Sequence, residues 1–172
     1  MSLRQSKPVV IAIATVDIAE IRIDPANNHR SLYSRKEFRV NELISEFTAK
    51  GVYPNPSYLT VQISDEEHIE LFPECLECIN HSCDPNCFFD TTKMQLVSLK
   101  RIKEGEELTF FYPSTEWDMD QAFQCFCRNK NCIGMIQGAK YLSESIIKNY
   151  RFTHFIEQKL DSRHWSSLKR VK

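Results

Sequence analysis

Over the first two thirds of the chain, short stretches alternate apolar and polar positions or run together Val, Ile, Phe and Tyr. VVIAIATV (9–16), AEIRI (19–23), NELISEF (41–47), YLTVQI (58–63), HIELF (68–72), QLVSL (95–99) and EELTFFY (106–112) each have the length and residue types of a strand. Turn signals separate them: DPANN, YPNPS, SDEE and KEGE. No helical pattern of crossover length lies between consecutive runs, so a parallel βαβ sheet is disfavoured. Several small, mostly antiparallel sheets are expected instead.

The pattern changes after Trp117. QAFQCFCRNKNCIGMIQGA is polar, cysteine-bearing and aperiodic, which predicts a loop tied by a metal. In the following YLSESIIKNYRFTHFIEQKL, residues Tyr141, Ile146, Ile147, Tyr150, Phe155, Ile156 and Leu160 recur near a 3.6-residue period. This predicts one amphipathic helix or a pair, with Ser143 as the cap. The closing SRHWSSLKRVK reads as a basic, solvated tail. The resulting fold class is mostly β with a C-terminal helix.

Composition adds limits. With 172 residues, 42% hydrophobic and 26% charged, the chain can bury one core without covalent staples. A formal charge of −1 provides no polybasic field, so direct nucleic-acid binding is not expected. No run of about 18 apolar residues occurs, so no membrane span is expected, and PVVIAIATV is too short for a secretion signal. Seven cysteines, an odd number, argue against a disulfide framework. Metal ligands and buried thiols in a reducing compartment, cytoplasmic or nuclear, fit better.

The cysteines fall into two groups. Downstream, Cys125, Cys127 and Cys132 form C-x-C-x4-C, three corners of a tetrahedral zinc site. The fourth corner must come from Cys75, Cys78, Cys83, Cys87 or a histidine. A rival arrangement uses those four upstream cysteines alone and leaves the trio without a role. Around them, CINHSCDPNC (78–87) combines thiols, a histidine and two asparagines more densely than a turn needs.

NHSCDPNC, then GEELTFFY, then C-x-C-x4-C, in that order, resembles the SET-domain protein lysine methyltransferases that carry a post-SET zinc loop. The resemblance is strong from Glu77 through Ala139 and weaker from His29, where SLYSRKEFRVNELISEF is similar to the first SET strands. It implies a SET-type fold of small antiparallel sheets with a pseudoknot. It also implies a SET domain at 1–120, a post-SET zinc loop at 121–140 and a helical extension at 141–172. Asn80 and His81 match positions that contact S-adenosylmethionine (AdoMet), and Arg30, Ser31 and Leu32 stand where the family's first loop meets it. Cys83 matches the fourth ligand of a structural zinc held with Cys125, Cys127 and Cys132. Tyr112 matches the catalytic tyrosine. Phe110 matches the position that sets how many methyl groups fit, and Trp117 is placed at the rim of the substrate channel. The implied function is AdoMet-dependent methylation of a lysine amine in a protein, histone or not, by an intracellular monomer.

Three departures stand out. No glycine occurs before Gly51, although the family's first loop is glycine-rich, and His29, Arg30 and Ser31 carry side chains there. The usual Arg-Phe-Ile before NHS is Glu77-Cys78-Ile79. Phe111 stands where aspartate is frequent. These changes leave open a second function, a SET fold kept as a binding or scaffolding module without catalysis, and a third, a zinc-stabilised interaction domain.

Overall fold

The computed structural model describes residues 11–127 and 129–169. In chain order the strands are β1 (Ile11–Val16), β2 (Ala19–Ile23), β3 (Arg30–Ser34), β4 (Leu43–Glu46), β5 (Thr48–Tyr53), β6 (Thr60–Gln62) and β7 (His68–Phe72). There follow β8 (Asn80–His81), β9 (Cys87–Asp90), β10 (Gln95–Ser98), β11 (Thr109–Phe110), β12 (Phe123–Gln124) and β13 (Met135–Ile136). Two helices close the chain, α1 (Glu144–Ile147) and α2 (His154–Lys169). All seven predicted strands are present, with residues 9–10 of the first lying outside the described residues.

The strands form five small sheets. An antiparallel meander joins β1-β2-β3, antiparallel sheets with non-consecutive neighbours join β4-β10-β9 and β5-β7-β6, and β12-β13 make a hairpin inside the stretch that the sequence reads as aperiodic. The remaining pair, β8 with β11, is parallel, so NHS and the LTFFY run lie side by side. Asn86 seals that union. Its side chain accepts the Thr109 N–H at 2.8 Å and donates to the Glu107 carbonyl at 2.8 Å, while it is itself buried. On the other flank Leu108 donates to the Leu32 carbonyl at 2.8 Å, which lays 105–110 between β3 and β8. Gly105 makes the entry turn with φ of +77°, a conformation that costs a residue with Cβ.

Side-chain alternation explains which faces are buried. Leu32, Ile44, Phe89, Leu96 and Phe110 point into one core with Phe38, Ile69 and Ile102. Rings chain through it edge to face, Phe47 to Phe89 at 5.4 Å and Phe89 to Phe110 at 4.9 Å. A second core joins Phe111 to Leu142, Phe152, Ile156 and Leu160 of the C-terminal helical region. Phe111 stacks on Tyr150 with centroids 3.7 Å apart, which accounts for an apolar residue where an aspartate is common.

The predicted C-terminal helix is a pair, broken between Lys148 and Thr153. Ser143 occupies the N-cap position of α1, but its side chain makes no capping bond. Its hydroxyl pairs with that of Ser145 instead, and its carbonyl accepts from Ile146 and Ile147. The basic stretch read as a tail is helical to Lys169, and residues 170–172 lie outside the described residues. No helix among the described residues is long and apolar enough to cross a membrane.

Candidate active site and metal centre

Cys83 follows β8, Cys125 follows β12, and Cys127 and Cys132 sit on the loop of the β12–β13 hairpin. Their four sulfur atoms lie within 4.8 Å of one another, and the Cys83 and Cys125 sulfurs are 3.9 Å apart. A tetrahedron of sulfurs about 2.3 Å from zinc has edges of about 3.8 Å, so the donor set fits such an ion. Backbone bonds shape the loop: Cys125 N–H to the Gly134 carbonyl at 2.7 Å, and Cys132 N–H to the Asn129 carbonyl at 2.9 Å. Burial pushes the Cys83 thiol up. Burial also raises Cys127, but backbone hydrogen bonds at Asn129 and Cys83 and the thiols of Cys125 and Cys132 outweigh it, bringing Cys127 down to about 7. A thiolate is the ligating form. Cys75, Cys78 and Cys87 stand apart from the cluster, so the upstream-only arrangement is not the one assembled among the described residues.

His81 joins this centre to the neighbouring cavity. Its Nδ1 accepts the Tyr112 N–H at 3.3 Å, which leaves the proton on Nε2, 3.3 Å from the Cys83 sulfur. Burial lowers its pKa to about 4, so the ring is neutral and donates to that sulfur. Phe123 of β12 packs edge-on to both His81 (5.7 Å) and Tyr112 (6.0 Å). The tail is laced back by backbone bonds: Ala139 N–H to the Glu116 carbonyl at 2.8 Å and Lys140 N–H to the Trp117 carbonyl at 3.0 Å. Gly138 permits this approach, since a Cβ there would lie 2.5 Å from the Trp117 carbonyl oxygen.

Beside Tyr112 is a cavity of about 490 Å³. Residues 27–30, 57–61, 78–80 and 119–123 line it with Leu71, Leu76, Glu77, Phe89, Phe110, Tyr112 and Glu116. The Tyr112 hydroxyl lies 3.4 Å from the Ile79 carbonyl, to which it donates, and burial pushes its pKa up to about 12. It is therefore a neutral phenol at any physiological pH. Phe110 lies 4.7 Å from Tyr112, ring to ring.

Of the sequence-predicted site residues, Asn80, Arg30, Phe110 and Tyr112 line this cavity. Four others do not. Leu32 is fully buried, because strand alternation turns it into the core. Ser31 instead accepts from Asn80 Nδ2 at 2.8 Å, and the same amide reaches the Arg30 carbonyl and Glu107 at 3.0 Å. His81 faces the thiols. Trp117 packs against the second core, with its N–H donated to Gln62 Oε1 at 2.9 Å.

The glycine-free loop has its own solution. Asn28 takes φ of +58°, a left-handed conformation that asparagine enters more readily than most residues. Asp24 Oδ1 accepts from Ala26 and Asn27 Oδ1 from His29, both at 2.9 Å, and these Asx turns hold the loop. Sequence reasoning missed Asn28, Phe123 and the buried Glu116. A carboxylate within the otherwise uncharged YPSTEW was the available signal for the last.

The model of the SET domain matches residues 22–113, more than half of the 172-residue chain. The chain belongs to the SET domain family. The match contains NHSC and Tyr112 but stops before the downstream cysteines, so the candidate metal centre rests on the geometry above. Methyltransferase flvH of Aspergillus flavus is 43% identical over 110 residues, 63% of this chain and 61% of that protein. A histone-lysine N-methyltransferase, H3 lysine-36 specific, from Mycosarcoma maydis is 39% identical over 66 residues, 35% of this chain and 7% of that protein. The enzyme of the same name from Saccharomyces cerevisiae is 32% identical over 104 residues, 54% of this chain and 13% of that protein. The SET chain thus spans about three fifths of the first relative and a small part of the other two.

Proposed function

We propose that this SET domain transfers a methyl group from AdoMet to the side-chain amine of a lysine in a protein substrate. The observation that carries this reading is an open cavity lined together by Tyr112, Phe110 and Asn80. Methyl transfer is supported by the relatives, two of them named as acting on a histone. AdoMet, when bound, supplies a methyl on a sulfonium and leaves as a thioether. Arg30 and Asn80, with the loop at 27–30, are the residues that would hold it, and they line one side of the cavity.

The chain's part is positioning and drying. Phe89, Phe110 and Phe123 exclude water around an incoming lysine, and desolvation favours the neutral amine that attack requires. Aligning amine and methyl at near-contact distance removes up to about 7–11 kcal/mol of barrier. Tyr112, a neutral phenol, orients the amine through its oxygen. Phe110 has no hydroxyl to crowd the nitrogen, so more than one methyl fits. The cysteine centre acts as a structural zinc site that fixes 121–140, the post-SET loop, as a wall of the slot. The 1–120 segment is the SET domain and 141–172 its extension, in a monomer acting inside the cell, on a histone or another protein.

A cavity open beside Tyr112 supports catalysis over a fold kept for binding alone. The test is transfer of labelled methyl from AdoMet to lysine-bearing proteins, a histone mixture included, by the wild type and by Tyr112→Phe. Label on lysine that Tyr112→Phe strongly reduces is the expected result. No transfer, with no heat of AdoMet binding, would remove the reading.

A further inference from the structure

Three carboxylates line the cavity among the described residues: exposed Asp120, half-buried Glu77 and Glu116, which is only 7% exposed. Glu116 lies one turn beyond Tyr112, with its N–H donated to the Tyr112 carbonyl at 3.2 Å. Its Oε1 accepts the Gln62 N–H at 3.0 Å and the Thr115 hydroxyl at 3.3 Å. Neither bond goes to Oε2, and no cation pairs with the carboxyl among the described residues. The Gln62 side chain in turn holds Trp117 N–H and donates to the Ser64 carbonyl at 2.9 Å, so strand β6 and the turn after Tyr112 clamp the group. Thr60 and Val61 of the same strand line the cavity.

A glutamine carbonyl would accept the Gln62 N–H equally well without the penalty of burying a charge. A carboxylate kept there against that penalty calls for a cation or a proton donor to meet it. The substrate class proposed above supplies both in one atom. Resting on that methyl-transfer reading, we propose that Glu116 receives the substrate amine: its carboxylate pairs with the lysine ammonium and takes one proton from it. The N–H bond breaks, an O–H bond forms on Glu116, and the neutral amine keeps the electron pair that attacks the methyl. After the product leaves, the proton passes to solvent.

Burial raises the Glu116 pKa to about 8, near the operating pH that suits a proton acceptor. The other titratable groups of the cavity are His29, Arg30, Tyr58, Glu77, Cys78, Tyr112 and Asp120. His68 of β7 lies opposite Gln62, and Lys159 of α2 lies over the Trp117 ring.

The test is calorimetry of the full chain with Nα-acetyl-lysine amide, with and without S-adenosylhomocysteine, across about pH 6.5–9.5. The wild type is compared with Glu116→Gln, and Nα-acetyl-norleucine amide serves as the amine-free control. The expected result is at least about tenfold weaker lysine-amide binding to Glu116→Gln, loss of its pH dependence near 8, and unchanged S-adenosylhomocysteine affinity. Equal lysine-amide affinity and the same pH profile in both proteins would overturn the proposal. If Glu116→Gln does not fold, the carbon-13 carboxyl resonance titrating near pH 8 in labelled wild type decides. Movement on adding the lysine amide supports the role, and an unmoved resonance overturns it. A wild type that takes no S-adenosylhomocysteine counts against methyl transfer, while the lysine-amide titration without it still decides Glu116.

Discussion

Two regions on either hand of the Tyr112 site, the cysteine cluster beside the cavity and the loop that lines it, are built by different means. In the first, four thiols converge within 4.8 Å, and a single ion would fix β12, β13 and the turn after β8 together. In the second, the 24–30 loop holds its shape through Asx turns and one left-handed asparagine. The first depends on side-chain ligands, for which few substitutes exist. The second depends on backbone conformation, which several residue types reach. Loss of glycine in the loop is therefore compensable in a way that loss of cysteine in the cluster is not.

The largest break of that contrast comes from Cys127→Ser. We expect elemental analysis to show bound zinc falling from about one per chain to well under half, against an apparent binding energy of about 10–16 kcal/mol for structural zinc in small peptides. Hydrogen exchange should rise in 121–140 while the core of β4, β9 and β10 stays protected, because that core needs no metal. Next, Tyr112→Phe should lower methyl transfer by roughly 100-fold with S-adenosylhomocysteine affinity kept, as for a lost polar group at a reacting centre.

Gly138→Ala tests the backbone lacing of the tail. With φ of +116° and a Cβ 2.5 Å from the Trp117 carbonyl, it should cost about 1–3 kcal/mol in urea unfolding and carry the tail with it. At the glycine-free loop, Asn28→Ala should cost about 1 kcal/mol, whereas Asn28→Gly should be nearly neutral, because glycine accepts the same φ. An equal loss in both variants would mean that the asparagine side chain, not the backbone, holds the loop.

A further effect is on pH. Glu116 has its folded pKa raised to about 8 from an ordinary carboxylate value of 4.5, so between those values the folded chain binds more protons than the unfolded one. Its contribution to stability therefore declines as pH rises through that window. Glu116→Gln should flatten that slope in thermal unfolding series, and an unchanged slope would place its origin elsewhere.

Much of this was legible in the chain. Strand runs with β-branched and aromatic residues declared themselves, since strand periodicity and residue type agree in AEIRI and HIELF. The candidate metal centre was legible because C-x-C-x4-C has few other uses, and the structure brings the Cys83 sulfur within 4.8 Å of the trio, where the resemblance expects a fourth ligand. What stayed hidden depends on partners far along the chain. The parallel β8–β11 pair, Asn86 bonded along β11 and Gln62 bonded to Glu116 join residues 20 to 54 positions apart, which no local pattern encodes. Leu32 shows the limit of residue-by-residue matching: a residue can stand where the family's first loop does while its side chain turns to the core.

Whether the cavity beside Tyr112 holds the methyl donor is decided by a crystal structure of the zinc-loaded protein grown with saturating S-adenosylhomocysteine. The ligand is expected in the cavity, its sulfur facing Tyr112 and its amino-acid end toward Arg30 and Asn80. A cavity left empty at saturation, or a ligand seated elsewhere, would contradict that expectation.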